Sequence, residues 1–278
     1  MSRARGIVVV TCCVVVGVVL ALRLRAQLGD ASGDSTTISP LAAVPRSELL
    51  ARTRLAGTIE ALDRFVAEQR ERCADVAAAA EEWRVLAESL LERCLMRDTH
   101  KGMAVGRLTH TELPAANHAD LDAGLAAIDE ALGRGDATAD APRIRSSLLS
   151  LSATSWTAVL RLRARVEAAL RAAEAIDAEH PRVVVARACE KLFAPNRFLG
   201  HDPAAARRML EKAATALELD ERPLLLAAMC AWVQERRDDA ITLLERAASR
   251  NPNNRYVTAV LARLRADEDD PFGRDVKE

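Results

Sequence analysis

Apolar and small residues recur along most of this chain at intervals of three and four. From Leu55 they fall at Ile59, Leu62, Val66, Cys73, Val76, Ala80, Trp83, Ala87, Leu90 and Cys94, with Gln69 the polar exception. Such spacing places one stripe along a helix. Phe65, Leu86, Leu91 and Leu95 widen the stripe beyond a two-position coiled-coil seam. A wide stripe predicts helices packed within the chain, a long-helix bundle over 47–178, in preference to a self-associating stalk. The pattern leaves open whether 47–97 is one helix or two. Ser47 is the expected N-cap of its start.

Residues 98–117 break the pattern with two glycines and a proline. Asn117 then reads as the cap of a helix running to Leu132, which Gly133 and Gly135 stop. A long helix is expected over 145–178, with Trp156, Val159, Leu160, Val166, Leu170 and Ile176 on its apolar side.

The N-terminus is different. Gly6 to Leu22 carries no charge, and Arg3, Arg5, Arg23 and Arg25 flank it. Seventeen residues is about the shortest run that crosses a bilayer as a helix. Residues 1–26 are therefore expected to be a signal anchor, that is, a transmembrane segment. Cleavage after Ala26 and an anchor with its body in the cytoplasm are the alternatives, and Arg23 and Arg25 just past the apolar run weigh against cleavage. Residues 27–46 hold Gly, Ser, Thr and Pro without periodicity and read as a linker. The short basic N-terminus favours a body outside the cytoplasm. With the Ala/Arg-rich composition of a bacterial chain, that means a single-pass inner-membrane protein with a periplasmic body.

Composition supports helix. Half of the residues are apolar, yet only 3% are aromatic and twelve are Gly. This mix disfavours sheet. The net charge of −1 hides an acidic body, because the four N-terminal arginines have no acid among them. An acidic body argues against a nucleic-acid partner. The charged tail 268–278 reads as disordered. The six cysteines form no C-x-x-C pair, and no Cys/His spacing suits zinc. On one continuous helix Cys73 and Cys94 would stand about 31 Å apart. His118, Asp120 and Asp122 do not share one helix face, so no metal site is expected. No phosphate loop, G-x-S-x-G or H-E-x-x-H occurs, and neither catalytic residues nor cofactors are expected.

Residues 221–254 are a 34-residue unit with Ala228, Ala240, Leu244, Ala247 and Pro252 at its positions 8, 20, 24, 27 and 32. This resembles a tetratricopeptide repeat (TPR), whose small residues stand where two helices cross closely. Leu224 and Ala231 depart from its usual aromatics. An earlier unit matches in two pieces. Pro181, Ala186 and Cys189 lie 42 residues before Pro223, Ala228 and Ala231, whereas Ala206, Leu210 and Ala213 lie 34 before Ala240, Leu244 and Ala247. Residues 194–202 absorb the difference, and the second helix of this unit is expected to run about a turn longer. The end of the 145–178 helix looks like part of a third, degenerate unit. After Pro252, Val257, Val260, Leu261 and Leu264 predict a capping helix.

The expected fold is thus all-α, with an N-terminal membrane helix, a long-helix bundle and a C-terminal TPR-like α-solenoid with a capping helix over 179–267. The resemblance implies a groove lined by the first helix of each unit. By position that groove would present His180, Val183, Arg187 and Glu190, then Arg222, Leu225, Met229 and Trp232. It also implies a protein partner, a peptide or helix held in the groove. A self-assembling envelope protein (a homo-oligomer) and an accessory part of a transporter or secretion system are the alternatives.

Overall fold

Each helix of this chain packs against the next, and the breaks between them are chemically marked. The computed structural model describes residues 44–97, 115–153, 155–193 and 200–272. Among these residues the structure is all-helical. The helices are α1 (Arg46–Leu55), α2 (Ile59–Cys73), α3 (Ala80–Arg97), α4 (Ala115–Gly133), α5 (Asp140–Leu151) and α6 (Trp156–Asp177). They continue as α7 (Pro181–Phe193), α8 (Pro203–Ala216), α9 (Arg222–Val233), α10 (Arg237–Arg250) and α11 (Arg255–Arg265). All the described residues belong to one compact unit.

The heptad-like spacing over 47–97 is carried by three helices, so neither a single stalk nor a helix pair describes it. Gly57 adopts φ +72°, and the Thr58 side chain caps α2 by accepting from the Ala61 amide. The second break is a turn at 74–79, where the Asp75 side chain accepts the Ala77 amide. Val76, a seam position by spacing, sits in that turn and is 89% exposed. Its neighbours in the pattern, Leu62, Val66, Ala87, Leu90 and Cys94, are buried as expected. The spacing survives the break because α2 and α3 fold onto one another and each offers one face to the other. Cys73 and Cys94 therefore enter the same apolar cluster. Gln69, the polar exception, is fully buried and has work to do there. Its amide donates to the Glu82 carbonyl at 2.9 Å and to the Glu82 carboxylate at 2.6 Å, tying the two helices.

Three expected boundaries move. Pro45, not Ser47, precedes the first turn of α1. Asn117 lies inside α4, fully buried, and donates to the Cys94 carbonyl at 3.3 Å. The helix expected over 145–178 is two. The Ser150 and Ser152 hydroxyls donate back to the Ser146 and Leu148 carbonyls, and the Ser155 hydroxyl accepts from the Ala158 amide to start α6. Serine competes with the helix ladder in this way and so marks helix ends.

In the C-terminal part the repeat geometry holds. Ala228, Ala240, Leu244 and Ala247 are all fully buried. The α7–α8 unit has its enlarged connection, and Asp202 caps α8 by accepting from the Ala205 amide at 2.9 Å. Its second helix is not longer. α8 and α10 both have 14 residues, and the one extra residue lies in the 217–221 turn. Asn254 caps α11, whose Tyr256, Val257, Val260, Leu261 and Leu264 close the core. Phe272, in the tail expected to be free, is buried instead, and its ring lies 5.7 Å from that of Trp232.

The contacts define two layers. α1/α2, α3/α4, α5/α6, α7/α8 and α9/α10 are successive antiparallel hairpins, each packed on the next. From α1 to α9, each odd-numbered helix also touches the next odd-numbered one. The layer whose members meet is the inner layer of a curved stack. The curve is tight enough for its first helix to reach its last turns. The Asn253 side chain donates to the Leu55 carbonyl at 2.8 Å. An added Cβ at Gly57 would stand 2.5 Å from the Asn253 Cβ. No described helix is long and apolar enough to cross a membrane; the apolar run at 6–22, His100 and His110 lie outside the described residues.

Candidate functional site

The inner layer and the turns beside it enclose an open cleft of about 950 Å³. α1 contributes Leu50 and Arg54, α3 contributes Glu88 and Glu92, and the start of α7 contributes His180 and Arg182. The far wall is the end of α6 with Ile176, and the 215–220 turn with Leu219 and Asp220.

Most of the lining charges are already matched. Arg143 donates to Glu88 at 2.9 Å, and Arg182 pairs with the same carboxylate. Burial pushes Glu88 up, but the two guanidinia outweigh it and hold its carboxyl below the usual range. The same balance holds for Asp140, which Arg143, Arg182 and His180 keep low against its burial. Asp220 is the extreme case, held far below the usual carboxylate range by Arg222, Arg54 and Arg182 in spite of being buried. Arg222 also reaches Glu92 at 2.9 Å, which joins α9 to α3 across the cleft floor. These pairs cross between hairpins far apart in sequence, so they clamp the curve of the inner layer. Two apolar side chains are left over at the cleft: Ile176 at 49% exposure and Leu219 at 38%.

The residues expected to line a groove divide. Val183 and Leu225 are buried at 1% exposure and offer nothing to a ligand. Arg187 lies under α6, where its Nε donates to Glu174 at 2.7 Å and its other nitrogens meet Glu167 and Glu190. Burial and nearby Glu167 keep Glu190 above the usual range despite Arg187. Arg222 belongs to the clamp. Met229 and Trp232 pack against the C-terminal core, and Trp232 also lines a separate hollow of about 460 Å³ beside Val233 and Leu264. Only His180 of this set lines the large cleft, with Nε2 3.7 Å from Asp140. Repeat position alone could not find the rest, because Ile176 and Leu219 stand at helix ends and turns. Ile176 follows the apolar spacing of α6, yet the adjoining helices stop short of covering it.

The charge clusters offer little chemistry. Among the described residues no three His, Cys, Asp or Glu side chains converge as a metal site. Asp120, two residues from His118 in the sequence, is bonded by Arg93 at 2.5 Å and 2.8 Å. Burial raises the Cys73 thiol to about 11 and the Cys230 thiol to about 12, which leaves both protonated and unreactive near neutral pH.

Residues 199–264 match the model of the tetratricopeptide repeat family. The match spans α8, α9 and α10 and nearly all of α11, and covers less than half of the chain. No curated protein matches the sequence. The matched segment has the fully buried small residues and the antiparallel hairpin that its resemblance implied, and the protein is TPR-like, with the kind of fold that serves as a scaffold for protein–protein interaction.

Proposed function

We propose that this protein is a membrane-anchored scaffold that holds a segment of a protein partner in the cleft of its inner helix layer. The observation that carries the reading is the contrast within the cleft. Most of its charges are matched by neighbouring charges, while Ile176 and Leu219 stay exposed beside them. An apolar pair on a rigid, charge-matched frame suits the anchoring side chains of a partner segment. The uncharged run Gly6–Leu22 between paired arginines supplies the anchor, in the inner membrane, with the body in the periplasm. No cofactor or nucleic acid enters this reading.

Crosslinked co-purification from native membranes tests it. Wild type is expected to retain a partner that the Ile176→Asp/Leu219→Asp variant loses, both proteins remaining in the membrane fraction after alkaline extraction. Retention of the partner by the double variant would move the site away from the cleft. Release of wild type by alkali would remove the anchor.

A further inference from the structure

Helix α1 is held at its start by Arg46, which donates to Gln69 at 3.1 Å and lies over the Phe65 ring. It is the shortest of those described, and only Leu50 and Arg54 of its ten residues are buried. Leu50 enters a small cluster with Leu62, Phe65 and Val85. Arg54 reaches across the chain. Its guanidinium donates to both Glu221 oxygens at 2.7 and 2.9 Å and to the Leu219 carbonyl at 2.6 Å. Asn254 donates to the same Glu221 carboxylate at 2.7 Å, fixing it in place. Asn253 holds the end of the helix through the Leu55 carbonyl. Two residues after the helix comes Gly57, whose left-handed φ of +72° glycine adopts without strain.

The buried Glu221 carboxylate, oriented by Asn254, the Leu219 carbonyl and Asp220, 3.5 Å away, thus form a receptor for one arginine at the end of a helix. Planar guanidinium is the group such a fork reads best. We infer that this seat is a helix-docking site that α1 occupies as an intramolecular ligand, and that a partner helix carrying Leu and Arg four residues apart displaces it. α1 also forms one wall of the cleft, so its departure opens the cleft. The inference deepens the scaffold reading and rests on it only for the existence of a protein partner. The seat itself is testable with a piece of this chain.

The probe is a labelled peptide of residues 44–58, titrated by fluorescence anisotropy into the full-length protein. Arg54→Ala in the protein vacates the seat, and this variant is expected to bind the peptide about tenfold or more tighter than wild type, whose own α1 competes. The same peptide with its arginine replaced by alanine is expected to lose about ten- to a hundredfold, the loss typical of a charge-assisted hydrogen-bonded pair. Gly57→Ala, whose added Cβ would meet Asn253 and push the end of α1 away from its seat, is expected to behave as Arg54→Ala does. Equal binding by wild type and both variants would overturn the inference. So would loss of helical circular dichroism across the whole domain in both variants, since α1 would then be part of the core. A wild-type dimer that the peptide dissociates would give the seat to a second copy of the chain and overturn docking in cis. Binding of the peptide with no partner recovered from membranes would leave the seat established and sink only the scaffold reading.

Discussion

At the scale of single residues, close approach decides more than hydrophobicity. Gly57 combines a left-handed backbone with a neighbour that leaves no room for a Cβ, whereas Gly135, at φ +87°, has nothing within 4 Å. Gly135→Ala is therefore expected to cost about 1 kcal/mol, the backbone penalty alone. Gly57→Ala should exceed it by about 1 kcal/mol or more, since Asn253 must shift as well. Paired urea denaturation curves measure the difference. Ala240 is the second such position. It is fully exposed to neighbours and not at all to solvent, so Ala240→Leu is expected to lose about 1–3 kcal/mol by overpacking. An unchanged melting temperature would contradict the close helix crossing.

At the scale of elements, the spacing of apolar residues was a good guide to faces and a poor one to ends. Leu62, Val66, Leu90 and Cys94 were legible as one buried stripe, but the stripe does not register the turn at 74–79, because α3 resumes the same phase after it. The signals for the breaks were local and polar: Thr58, Asp75 and the serines at 150–155. The repeat positions Ala228, Ala240 and Ala247 were legible because a crossing needs small side chains whatever surrounds it. The groove residues were not, since Arg187 and Arg222, besides their near neighbours Glu190 and Asp220, find acids on α6 and α3 that no spacing places beside them. Glu88 is the strongest such link, lying between Arg143 and Arg182 and joining α3 to α5 and α7. Removing it leaves Arg182 without its ion pair and the buried Arg143 with Asp140 alone, and Glu88→Ala is expected to cost about 3 kcal/mol in a thermal or chemical melt.

At the scale of the whole molecule, the carboxylates that clamp the inner layer predict its response to acid. Glu88, Asp140 and Asp220 all titrate below their ordinary values in the folded protein. Their stabilisation is complete above the unfolded carboxylate range of about 3.9–4.3 and is lost as pH falls through it toward the folded values. Glu190, held high, acts in the opposite sense, but it stands against three. The melting temperature is expected to drop between about pH 5 and pH 3, and a flat profile would contradict the clamp. That clamp keeps the inner layer curved and leaves Ile176 and Leu219 facing the cleft. The most direct measurement places a photo-crosslinking side chain at Leu219 in the native membrane, with Val76, exposed on the α2–α3 turn, as the control. A defined protein adduct at Leu219 and none at Val76 is the predicted result. The same adduct from both positions, or from Val76 alone, would contradict a partner held in the cleft.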